Sequence, residues 1–208
     1  MATTHQVLVL RKEASGESFL KLHLLGPELG CQLCLKRVAT KSRSTRAAPD
    51  LFDDAEVLLE RSKQGTAQFV SEYRVLRRRS EIGRNYRSLQ LASHLSKLLI
   101  ANGGHLADLP ALYQLAERSM DAFAQGLEPS VVFLKGLFLL LKDEGYPVRE
   151  SWWPELPHGV RQQARELLGR PSPASLPAEA RSSCEAATRN LLQWLRRETD
   201  FILPEEIL

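Results

Sequence analysis

The sequence predicts an α+β chain, with a five-stranded β-barrel over about residues 1–79 and an all-helical domain over about 80–208. Three observations predict it. Between His5 and Leu76, five short stretches alternate apolar and polar side chains, the period of a strand with one face buried. Beyond Arg77 the apolar spacing changes to three and four, the period of a helix. Between the third and fourth strands lies a basic arm, Lys36–Arg46, with five cations and no anion in eleven residues.

The first strand is read over His5–Lys12, where Val7 and Val9 alternate with leucines as in a strand buried on both faces. Glu13–Glu17 is a turn around Gly16. Phe19–Leu25 alternates most regularly. Leu20, Leu22 and Leu24 share one face, predicted to point into a core, and Phe19, Lys21, His23 and Leu25 share the other. Gly26-Pro27-Glu28-Leu29-Gly30 forms a second turn, and Cys31–Val38 a third strand, completing a meander. Asp50–Arg61 is ambiguous taken alone, since Asp50 suits a helix cap while Ala55, Val57 and Leu59 alternate. Ser62-Lys63-Gln64-Gly65 then reads as a hairpin turn between Ala55–Arg61 and Ala67–Leu76. Five short antiparallel strands with no second sheet suggest a small closed barrel of the OB type.

Helices are expected over Asn85–Ile100, Leu109–Gln125, from Pro129 through Val131–Leu141, over His158–Leu168 as a short element, and over Glu179–Arg197. The run Val131–Leu141 is apolar on nearly every side, as in the buried centre of a bundle. Gly145 occupies the usual left-handed capping position after it, with Pro147 beyond.

The net charge of +3 says little by itself, but its distribution does. Residues 1–48 hold eight Lys or Arg against three Glu, a local charge of +5, leaving about −2 for the rest. That asymmetry points to a local anionic partner, and a groove following a phosphate backbone explains the arm. The candidate DNA-binding residues are Lys36, Arg37, Lys41, Arg43 and Arg46, extended by Arg11, Lys21 and His23 if their face of the sheet is the open one. The competing reading is a solvated basic loop. A second cluster, Arg74, Arg77, Arg78, Arg79, Arg84 and Arg87, has two readings of equal weight: a further phosphate contact, or a set of ion pairs with Glu72 and Glu81.

Other functions find little support. Cys31 and Cys34 form a C-x-x-C, yet residues three apart on a strand face opposite sides, so no metal site or cofactor is expected. Trp152 and Trp153 read as loop packing in preference to a base-stacking platform. No phosphate-cradling G-x-x-x-x-G-K-[ST], H-E-x-x-H or G-x-S-x-G occurs, so an enzyme is not expected. Three cysteines argue against a disulfide framework. The first ten residues lack the apolar core of a signal peptide, and Val131–Leu141 is too short to cross a bilayer. A cytoplasmic protein without membrane contact is the expectation.

Several short motifs resemble the bacterial DNA-repair protein family RecO. These are Gly16-Glu17-Ser18, the alternating leucines, Gly26-Pro27-Glu28-Leu29-Gly30, and the basic Lys41-Ser42-Arg43. Further on, Leu139-Leu140-Leu141-Lys142-Asp143-Glu144-Gly145-Tyr146-Pro147 is similar to that family's Leu-Leu-x-x-x-Gly-Tyr-x-Pro helix end. The likeness spans roughly residues 7–150. It implies an OB-fold whose basic face binds single- and double-stranded DNA, strand annealing, and loading of RecA with a RecR-like protein. It also implies a helical domain that contacts single-strand-binding protein (SSB). Two departures stand out. Arg149–Pro157 offers two tryptophans where many members have two C-x-x-C pairs, and Ala47-Ala48-Pro49-Asp50 replaces a leucine-rich continuation. The alternative is an OB-like protein-interaction scaffold that has lost DNA binding.

Overall fold

A computed structural model describes residues 3–38, 48–62 and 65–207. Five strands, β1 (Thr3–Ser15), β2 (Phe19–Gly26), β3 (Gly30–Arg37), β4 (Asp54–Arg61) and β5 (Gln68–Arg77), close into a barrel in the order β1-β2-β3-β5-β4. The three-stranded meander is antiparallel, β4 and β5 form a hairpin, and β4 returns to β1. Closure rests on a short parallel pairing, Cys34 with Gln68 and Leu35 with Phe69. This is the OB-like architecture that the alternation predicts, followed by a helical region.

The barrel core is the inward row of each strand. Val7 and Val9, Leu22 and Leu24, Cys34, Ala55, Val57 and Leu59, and Val70 and Tyr73 form one cluster, with Leu20 packed against its edge. β1 runs further than the sequence suggests and carries a bulge between Val9 and Arg11, which bends the strand and allows a small barrel to close. Two glycines answer to close approach. A Cβ on Gly26 would lie 2.9 Å from the Gln6 carbonyl oxygen. Gly30 combines φ +67° with the Leu109 side chain 3.3 Å from where its Cβ would stand.

By contact the chain divides into two compact units. One holds residues 1–79 with 103–114, the other residues 80–102 with 115–208. Among the described residues six α-helices follow the barrel in sequence: α1 (Tyr86–Asn102), α2 (Leu109–Ala124), α3 (Pro129–Asp143), α4 (Trp153–Glu155), α5 (His158–Gly169) and α6 (Ala178–Glu198). Within the helical unit α3 is the centre, as its composition requires. Between Val131 and Leu141 only Lys135 and Leu139 escape burial. Gly136 lets neighbours approach, since a Cβ there would meet Ser119 Oγ at 3.2 Å and Leu95 Cδ2 at 3.3 Å. Pro129 opens α3 at a position needing no amide donor, and Gly145 follows its C-terminus at φ +83°. Among the described residues, no helix is long and apolar enough to cross a membrane.

Candidate nucleic-acid interface

Strand alternation sorts the meander into two faces, and the outward one has an unusual composition. β1, β2 and β3 are antiparallel neighbours, so side chains across them line up in rows. Arg11 stands opposite His23, which stands opposite Leu33. Glu13 stands opposite Lys21, which stands opposite Leu35. Phe19 stands opposite Arg37. The parallel seam adds β5 to the second row by placing Phe69 beside Leu35. Phe19 and Phe69 come together with ring centroids 6.0 Å apart and planes tilted by 58°.

The result is an apolar and aromatic patch, Phe19, Leu33, Leu35, Phe69 and His23, bordered by Arg11, Lys21 and Arg37. Leu33 is 45% exposed, unusual for a leucine at mid-strand, and Lys21, Arg37 and Arg11 are exposed as well. Two acids share these rows: Glu13 is held in an ion pair by Arg11, and exposed Glu60 of β4 stands opposite Phe69. Burial lowers the His23 pKa below its ordinary 6.5, and the Arg11 and Lys21 charges lower it further against a smaller opposing effect of Glu13. His23 is therefore mostly a neutral aromatic ring at pH 7. Flat rings among cations are what single-stranded nucleic acid needs, because bases stack without regard to sequence while phosphates are neutralised alongside. In five-stranded barrels of this class the strand 2–3 face and the β1–β2 and β4–β5 loops hold oligonucleotides. Here the start of β2, the end of β3 and the start of β5 meet at one end, beside Phe19 and Arg37.

The predicted basic residues distribute as follows. Arg11, Lys21 and Arg37 share the outward face. Lys36 lies opposite Leu20, on the other side of β3 from Arg37, and is half-buried. Lys41, Arg43 and Arg46 lie outside the described residues. The arm leaves β3 next to this face, where the Val38 amide donates to the Ser18 carbonyl at 2.8 Å. It returns at Ala48–Asp54, a turn tied down by many contacts. Lys12 Nζ donates to Asp50 at 2.8 Å, and Arg78 donates to the Ala48 carbonyl at 2.8 Å.

That same turn corrects the reading of the second arginine cluster. Arg74, Arg77, Arg78 and Arg79 are held by Glu56, Asp54 and Asp53, acids more distant in sequence than the expected Glu72 and Glu81. Asp53 and Asp54 point apart, as neighbours on an extended chain must, and each finds a separate set. Fully buried Asp53 accepts from Tyr73 Oη at 2.9 Å, from Arg78 at 2.9 and 3.0 Å, and from the Asp50 amide at 3.0 Å. Burial, reinforced by the Asp53 charge, holds the Tyr73 phenol well above its ordinary pKa. Asp54 accepts from Arg77 Nε at 2.8 Å and from both terminal nitrogens of buried Arg79 at 3.0 Å. Arg79 also donates to the Phe52 carbonyl at 2.7 Å. Phe52 has φ +64°, a strained conformation for a large side chain, which this surrounding network holds. Arg74 pairs with Glu56 at the surface, and Arg87 with Glu185 in the helical unit. These side chains are largely structural, which moves the weight of any phosphate contact to the meander face and the arm.

Cys34 is in the barrel core and Cys31 is on the outward side, so the C-x-x-C thiols diverge. The sequence alone leaves Phe19, Phe69 and Tyr73 equally open to base stacking or core packing; the β3–β5 seam brings Phe69 beside Phe19 on the outward patch, whereas Tyr73 is buried in the barrel core. No protein-family model and no curated protein matches this sequence.

Proposed function

We propose that the chain is a RecO-like DNA-binding recombination mediator, with the meander face and the adjoining arm as its DNA contact. The carrying observation is the aromatic patch of Phe19, Phe69 and His23 set among Arg11, Lys21 and Arg37 on an OB-like barrel. Bases of a single strand stack on the rings, and phosphates lie against the cations and against Lys41, Arg43 and Arg46 of the arm. Such a surface favours annealing: the main barrier between complementary strands is phosphate repulsion, and cations on a bound strand screen it. Double-stranded DNA binds through the cations alone, without stacking. Partnership with a RecR-like protein and with SSB, and loading of RecA, belong to this reading through the family resemblance.

The second reading, a scaffold without DNA binding, is favoured by exposed Leu33, which suits a protein contact equally well. Fluorescence anisotropy with a labelled oligo-dT, taken across a salt series, separates the two. Neutralising about five phosphates gives a log–log slope near −3.5 for a single strand. Replacing Lys41, Arg43 and Arg46 by Ala flattens that slope. Phe19→Ala with Phe69→Ala weakens single-strand binding and leaves duplex binding nearly unchanged. No binding at low salt, or binding indifferent to both variants, sinks the DNA reading.

A further inference from the structure

The helical unit contains a cavity of about 470 Å³ whose lining is one-sided in charge. Lys135 and Lys142 of α3, Arg149, and Arg165 of α5 meet there; Lys135 Nζ donates to the Arg170 carbonyl and Lys142 Nζ pairs with Asp143 at 3.4 Å, so the excess charge rests on the two exposed arginines. Its apolar wall is Trp153, Phe138, Leu139 and Leu168. The two residues of α3 that escape burial in its apolar run, Lys135 and Leu139, both open into this space, which explains why they interrupt an otherwise buried helix.

The tryptophan pair divides its labour here. Trp152 is fully buried, and its Nε1 donates to Asn190 Oδ1 at 2.8 Å. Trp153 packs edge-on against it, centroids 5.5 Å apart at 75°, and lies 6.3 Å from the Phe138 ring at 58°. The ring is therefore held in place and still borders the cavity. A widened turn over Val148–Trp152, in which the Trp153 amide donates to the Val148 carbonyl, presents Arg149 and Trp153 to the same space. Turns of this kind concentrate at functional sites.

We propose that this cavity is a nucleotide site, separate from the barrel, which stacks a base on Trp153 and takes its phosphate on Arg149 and Arg165. The volume suits a ligand of that size. A fixed aromatic ring beside several cations matches a base with a phosphate attached. An acidic peptide matches the charge, but an extended peptide also brings backbone amides that need partners. The walls are mainly helical, and where α5 ends at Gly169 the next carbonyl, of Arg170, already accepts from Lys135 Nζ, so a nucleotide is the better fit.

The test uses the full chain and its intrinsic fluorescence. Trp152 and Trp194 are at most 1% exposed, so a stacking ligand reports through Trp153. Titration with deoxyadenosine 5′-monophosphate gives saturable quenching, and deoxyadenosine without phosphate binds far more weakly. Arg149→Ala with Arg165→Ala, both exposed side chains, weakens the nucleotide about tenfold or more, a loss of about 1.4 kcal/mol or more. Trp153→Phe abolishes the signal and retains phosphate-dependent binding by calorimetry. Absence of saturable quenching overturns the proposal, as does an acidic peptide that binds the cavity and is not displaced by the nucleotide. Outcomes at the barrel are independent. The Lys41, Arg43, Arg46→Ala variant leaves mononucleotide quenching intact, and oligo-dT binding that survives Arg149→Ala with Arg165→Ala leaves the barrel reading standing even where quenching is absent.

Discussion

Arg79→Ala removes a cation that the barrel encloses almost completely. Its guanidinium, with the side chain 1% exposed, makes a two-pronged contact to Asp54 and a third hydrogen bond to the Phe52 carbonyl. Truncation leaves Asp54, 3% exposed, with Arg77 on one oxygen and without Arg79 on either. Removing one partner of a buried pair costs about 3–5 kcal/mol, and the surviving Arg77 contact puts this case near the lower end. The Phe52 carbonyl loses its donor as well, just where the backbone is strained. For a unit of this size, about 3 kcal/mol lowers the melting midpoint by roughly 12–24 °C. Arg74→Ala is the control: its pair with Glu56 is 66% and 40% exposed, and such pairs are worth under about 1 kcal/mol. The assay must report the barrel itself. All three tryptophans lie in the helical unit, so tryptophan fluorescence follows the wrong transition, and calorimetry or far-ultraviolet dichroism at strand wavelengths is required. Replacing both partners, Arg79→Met with Asp54→Met, costs less than either single truncation, because no buried charge is stranded. If Arg79→Ala shifts the barrel midpoint no more than Arg74→Ala, the assignment of the cluster as a structural lock is wrong.

Two further predictions concern titrating groups. The His23 pKa is lowered in the folded chain, so as pH falls below 6.5 the unfolded imidazole takes up its proton first and the free barrel loses stability. On the proposed DNA-binding reading, affinity moves the other way: a bound phosphate favours the charged ring, so oligo-dT binding tightens over the same window by at most about tenfold per pH unit, and His23→Gln removes the dependence. Burial pushes the Cys31 and Cys34 thiols up to about 11 and Cys184, with help from Glu128, up to about 12. All three should therefore react slowly with a disulfide reagent at pH 7.5, with half-buried Cys31 first and Cys184 last, as mass spectrometry of the labelled chain would show.

The parts of this molecule that sequence discloses are those governed by neighbours along the chain. Leu20, Leu22 and Leu24 announce their shared face by alternation, and that automatically sends Phe19, Lys21 and His23 to the other side. The apolar run of α3 announces a central helix for the same local reason. Partners distant in sequence were not legible. Asp53 and Asp54 receive arginines about 25 residues away, and nearer Glu72 and Glu81 were the natural guess from sequence alone. Phe69 reaches the meander face through a parallel seam that no periodicity encodes. The cavity at Trp153 collects cations from separate elements, each unremarkable in its own segment. What sequence offered there was the interruption of an apolar helix by Lys135, visible but without a partner to give it meaning.

The short seam between β3 and β5 has a consequence for how the barrel breathes. Every other junction is a long antiparallel ladder, whereas closure relies on two aligned residue pairs. A sheet opens first where the fewest bonds must break, so the cheapest excursion from the native state is an unzipped cylinder with Phe69 swung away from Leu35 and Phe19. On the proposed DNA-binding reading, a strand lying across both sides of that gap favours the closed form over the open one and acts as a clasp. Recognition and closure of the barrel are then thermodynamically one event, shared across two residue pairs.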